Sequence, residues 1–154
     1  MTYIDKTDWH SGGQFPKDLD PDCGGTHIGM YITWIIENDL LEDELSKELE
    51  EEIKQLKNRA INGRDFLFDY FDGKFPREVL NEIGRLFTLD YYEYHEYEDA
   101  EINYINHYMT LLPFESDIDE DIYRMPNTWE IYDKLKPLID ETFSKWLQKR
   151  KSSE

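Results

Sequence analysis

The sequence predicts an all-α domain, a compact bundle of about five to seven helices behind an ordered N-terminal loop, with a small β-hairpin as the only sheet it allows. Two observations carry that expectation. Apolar residues recur at three- and four-residue spacing in segment after segment, and no long alternating run calls for a large sheet. Despite 34% charged residues, an aromatic content of 15% supplies large side chains that bury much area each, so the chain folds rather than remaining disordered. Its 154 residues fit one domain, read as 1–150 with a frayed end at 151–154.

The segment up to Gly24-Gly25 is rich in Gly, Pro and Asp and reads as a loop wrapped on the domain, anchored by Trp9, Phe15 and Leu19. Thr26 is placed to cap a helix reaching about Asn38, in which Ile28, Tyr31, Ile32, Trp34, Ile35 and Ile36 leave little polar surface; this is the expected core helix. From Glu42 to Asn58 a narrow line of Leu45, Leu49, Ile53 and Leu56 predicts a surface helix. Asn62 precedes a short helix with Phe66, Leu67, Tyr70 and Phe71 that ends at Asp72-Gly73.

Pro76 then opens an amphipathic helix to about Tyr94, followed by one over Asp99–Met109. Tyr91–Tyr97 is β-prone and is where the hairpin would lie. Asn127 and Glu130 have capping-box spacing before a final stripe of Leu135, Leu138, Ile139, Phe143, Trp146 and Leu147, with Pro137 beginning or kinking that helix.

A formal charge of −18 argues against direct contact with nucleic acid or anionic membranes, both of which require Lys and Arg, and favours a basic partner or a purely solubilising role. The single cysteine, Cys23, excludes an intrachain disulfide framework and suits a reducing compartment. Met1–His10 lacks a basic region followed by an apolar run, and no segment is apolar for long enough to span a bilayer, so the expected location is cytoplasmic.

Catalytic and metal motifs do not form clear patterns. His10, Cys23 and His27, with Asp18 or Asp22, offer zinc-type donors at spacings unlike those of structural zinc sites, so hydrogen-bonded histidines are preferred and neither metal nor cofactor is expected. Asp117, Asp119 and Asp121 imitate the start of a calcium loop, but Ile122 stands at the turn glycine and Thr128 at the bidentate glutamate. Asp99 stands where a zinc-protease pattern begun at His95-Glu96 needs its second histidine. There is no phosphate-cradling loop and no nucleophile elbow.

The informative feature is Leu86–Tyr123, which holds eleven acidic residues, seven of the chain's eleven tyrosines and no Lys or Arg. Carboxylates pair with basic side chains and tyrosines add rigid contact area. The expected partner-binding residues are Glu93, Tyr94, Glu96, Tyr97, Glu98, Asp99, Glu115, Asp117, Asp119, Glu120 and Asp121. The competing reading puts the tyrosines in the core and leaves the acids as a solvated coat.

Trp9-His10, Phe15-Pro16, Thr26-His27-Ile28-Gly29-Met30 and Trp34 together resemble the opening of an uncharacterised bacterial domain family. Gly63-Arg64-Asp65-Phe66, Asp72-Gly73 and Thr128-Trp129 extend the resemblance along nearly the whole chain. Small acidic proteins of this kind look like immunity partners of polymorphic or contact-delivered toxins. The resemblance thus implies stoichiometric inhibition of a cognate protein toxin with a basic surface, and it brings no catalytic residues. An acidic adaptor or nucleic-acid mimic, and an enzyme of unknown reaction, are the alternatives.

Overall fold

Helix α2, Thr26–Glu37, is the axis of the fold: every residue from Thr26 to Ile36 is buried. The computed structural model describes residues 3–12, 15–93, 103–116 and 119–152. Strand β1, Tyr3–Lys6, and the short helix α1, Thr7–Ser11, precede a 3-10 turn at Pro21–Gly25 that feeds α2. Then come α3, Asp43–Glu48, α4, Glu50–Lys57, α5, Gly63–Phe71, and strand β2, Lys74–Pro76. Helix α6, Glu82–Thr88, runs into a π-helical turn at Leu89–Glu93; α7, Tyr104–Met109, and the long α8, Trp129–Ser152, complete the mostly α fold.

Helices α2 and α5 cross with their backbones in contact. A Cβ on Gly63 would stand 2.0 Å from the Gly29 carbonyl oxygen, and one on Gly29 would stand 2.4 Å from the Arg64 nitrogen. Only paired glycines permit that approach. It brings Phe66 and Leu67, both wholly buried, onto the α2 core. On the other side of α2, Trp34 meets Phe87 and Phe143 at ring separations of 5.5 and 5.1 Å, and its indole N–H donates to Asp140 of α8 at 2.8 Å.

The fold follows the sequence expectation as a compact mostly-α unit, with corrections in detail. The only sheet among the described residues joins β1 and β2 antiparallel, with an irregular register between Tyr3 and Asp5, so strand pairing draws on the N-terminal segment expected to be a loop. Trp9 is 56% exposed, with the Lys6 ammonium 5.7 Å from its ring; within Tyr3–Ser11 the buried residues are Ile4, Asp5 and Thr7, and Thr7 donates its backbone N–H to the Gly73 carbonyl at 2.9 Å.

The expected helix at Glu42–Asn58 breaks at Leu49, where φ −104° and ψ 23° leave the helical range. Pro76 closes a strand instead of opening a helix. A 3-10 turn at Arg77–Val79 follows, and the helix start moves to Asn81, whose side chain accepts from the Gly84 N–H at 2.8 Å, because Leu80 pairs with Leu41 in an isolated bridge and is extended there. Thr26 does not cap α2; it is already helical, and its hydroxyl accepts from Arg64. At α8 the capping oxygen belongs to Thr128, not Asn127, and Pro137 sits inside a continuous helix.

Candidate functional site

Two places carry polar chemistry beyond what the fold consumes. The first is the acidic stretch. Of its seven tyrosines, Tyr91, Tyr92, Tyr104 and Tyr108 are buried in the core and Tyr123 is half-buried. Tyr92 stacks on Tyr104 at 5.0 Å, and Tyr104 donates to the His27 carbonyl at 2.5 Å. Two acids are held by residues from elsewhere in the chain, Asp90 accepting from the Trp146 indole at 2.8 Å and Glu93 pairing with Arg77, while a third, Asp121, is held locally, 3.4 Å from Arg124 and accepting from Ser116.

Among the expected partner-binding residues, Glu93 is therefore an internal ion-pair partner and Asp121 helps to hold its own turn. Glu115 is exposed beside Phe114, a phenyl ring left 43% exposed at the edge of an open hollow of ≈ 540 Å³ lined also by Met109 and Leu112. A 3-10 turn follows at Asp119–Arg124, so Asp119, Glu120 and Asp121 come close after Glu115 in the chain. Tyr94, Glu96, Tyr97, Glu98, Asp99 and Asp117, and most of the hairpin expected at Tyr91–Tyr97, lie outside the described residues.

The second place is a buried cluster around Asp5. His10 Nε2 lies 2.7 Å from Asp5 Oδ1, while His27 Nε2 and the Tyr92 hydroxyl lie 3.3 and 2.6 Å from Asp5 Oδ2. The Lys6 backbone N–H adds a fourth donor, at 2.8 Å to Oδ1. The two imidazoles meet edge to face at 4.5 Å, and His10 Nδ1 is 2.7 Å from the Tyr123 hydroxyl. With N–H groups of both rings turned to the carboxylate, Nδ1 of a neutral His10 accepts from Tyr123, giving a chain from hydroxyl through imidazole to carboxylate.

Electrostatics fix the central charge. Burial works to raise the Asp5 carboxyl, but the hydrogen bonds from His10 and His27 outweigh it and hold the group well below the usual carboxylate range. Complete burial pushes His27 down, overcoming the pull of Asp5, so the state is an ionised carboxylate beside a neutral imidazole. The ligand-type atoms of Asp5, His10 and His27 all lie within 4.8 Å of one another.

The sequence singled out His10 and His27 but joined them to Cys23. The structure joins them to Asp5. Cys23 is half-buried outside this group, and Asp18 is engaged by Arg124 at 2.8 Å. Asp5 escaped notice because the irregular register of β1 turns Ile4 and Asp5 both inward, which removes the alternation that marks an inward polar residue.

A family model described as a domain of unknown function (DUF7832) matches residues 3–125. The chain belongs to that family. The match takes in Asp5, His10, His27 and Tyr123, together with the crossing of Gly29 on Gly63. No curated protein and no solved structure matches the chain. Among the described residues, no helix of this DUF7832 domain is long and apolar enough to cross a membrane.

Proposed function

We propose that this domain is an immunity protein, which neutralises a cognate protein toxin by binding it stoichiometrically through its acidic edge. The observation that carries the reading is Phe114, a large apolar ring kept in solvent next to the exposed Glu115. An aromatic anchor beside a carboxylate suits a basic protein surface: charge steers the encounter and the ring sets the lifetime. The net charge of −18 adds a long-range attraction for such a partner.

The test is co-expression with a secreted toxin encoded beside this gene, followed by calorimetry on the purified pair. A 1:1 complex is expected, with protection of the host cell. Phe114→Ala combined with Glu115→Lys should lose both. Unchanged binding and protection by that variant removes this edge from the interface. Equal binding to several unrelated basic proteins, all lost at high salt, makes the domain an acidic adaptor instead.

The Tyr123–His10–Asp5 chain favours a second reading, an enzyme using acid–base chemistry, because a hydroxyl, an imidazole and a carboxylate in series are the parts of a proton relay. Toxin protection that survives His10→Gln separates the two readings: a binding role tolerates that change and a catalytic one does not.

A further inference from the structure

We propose that Asp5, His10 and His27 form a binding site for a divalent transition-metal ion of zinc type. Two imidazole nitrogens and one carboxylate oxygen are a donor set suited to such ions. They come from three elements, β1, α1 and α2, and from positions scattered over more than twenty residues, so the tertiary fold and not a local turn brings them together.

The spacing fits. A tetrahedral ion with bonds of about 2.0–2.1 Å holds its ligand atoms about 3.3 Å apart. His10 Nε2 is 2.7 Å from Asp5 Oδ1 and His27 Nε2 is 3.3 Å from Asp5 Oδ2, and the ligand atoms of the three residues all lie within 4.8 Å of one another, so small rotations of the carboxylate and rings bring them to that spacing. Moving the His10 ring outward by a few tenths of an ångström opens the position, and His10 lies on the side of the cluster that reaches solvent, with 20% of its side chain exposed.

The charge balance also fits. Among the described residues, Asp5 has no Lys or Arg partner; its ionic contacts are the two imidazoles. A buried carboxylate without a permanently charged donor is a place where a cation replaces a large desolvation cost with direct bonds. Asp5 Oδ1 would take the ion while Oδ2 keeps Tyr92, and the His27 ring would turn its Nε2 from Oδ2 towards the ion. His10 Nδ1 would then carry the proton and donate to the Tyr123 oxygen, the outer contact that orients a ligating imidazole. Three protein ligands leave a fourth position for water or an exchangeable group.

The experiment titrates chelator-treated full-length protein with Zn2+ against a chromophoric competitor in excess Mg2+, which occupies the many surface carboxylates. The expected result is one site per chain, abolished in His10→Gln and in Asp5→Asn, and weakened about tenfold in Tyr123→Phe. Co2+ should give a visible d–d spectrum that His10→Gln lacks. Circular dichroism confirms that each variant is folded, and the half-buried His10 keeps the test usable should Asp5→Asn unfold. Absence of a stoichiometric site in excess Mg2+, or the same affinity and spectrum in His10→Gln, overturns the proposal. Toxin binding is not involved, so the result stands apart from the immunity reading.

Discussion

Tyr91, Tyr92, Tyr104 and Tyr108 come from the same Lys- and Arg-free stretch as Phe114 and Glu115, and the fold treats the two groups oppositely. The four tyrosines are buried, three of them around Tyr31, with Tyr104 and Tyr92 at 4.9 and 4.8 Å from its ring, and Tyr108 against Tyr104, while Phe114 is left in solvent. Acids beside the tyrosines are met by Arg77 and Trp146 from outside the stretch; exposed Glu115 lies beside an open hollow. Local composition is alike at both ends. What differs is register: Tyr104 and Tyr108 are four apart on one face of α7, and Tyr91 and Tyr92 sit in a π-helical turn that presents both inward.

The largest test of that contrast is an identical truncation at the inner end. Tyr104→Ala removes a wholly buried ring that touches Tyr31, Tyr91, Tyr92 and Tyr108, and should destabilise the domain by about 3–5 kcal/mol. In a chain of this length that lowers Tm by roughly 10 °C or more. Thermal unfolding followed by circular dichroism measures it. A shift of only a degree or two would mean that Tyr104 is far less well packed than the structure has it.

A milder test acts on all the inner tyrosines at once. Burial raises the phenols of Tyr31, Tyr91, Tyr104, Tyr108 and Tyr132 above the ordinary value. A group raised in the folded state stabilises it fully below the unfolded value, about 10, and the benefit is lost as pH climbs above that value. Ionisation followed at 295 nm should therefore remain incomplete in the native protein near pH 10.5 and finish together with cooperative unfolding. A complete, gradual titration with circular dichroism unchanged would place these rings in solvent.

The same contrast shows what could be read in advance. Helices α2, α5 and α8 were legible because each carries a long apolar stripe, and at α5 the expected cap, Asn62, accepts from the Asp65 N–H at 2.9 Å. The β1–β2 pair was not, since three- and four-residue strands hold too few positions to show alternation. Nor was Asp5, whose role depends on His27, twenty-two residues away. Glu93 looked like a free surface acid because Arg77 reaches it only through the fold, whereas Asp121 meets Arg124 three residues on in its own 3-10 turn, just past the end of the stretch. A run of like charge reports what its neighbours in sequence cannot supply, and says nothing of neighbours in space.

The smallest expected effect is the most telling for function. Phe114→Ala removes a ring that the domain leaves 43% exposed, so stability should change by no more than about 0.5 kcal/mol. Chemical denaturation of variant and parent checks this directly. A ring that contributes so little to the fold and faces water beside a carboxylate is available to a partner. If the variant is as stable as the parent and loses its partner, the outer end of the stretch exists for binding. A loss of 2 kcal/mol or more, on the order of a core truncation, would make Phe114 part of the aromatic core and dissolve the contrast between the two ends.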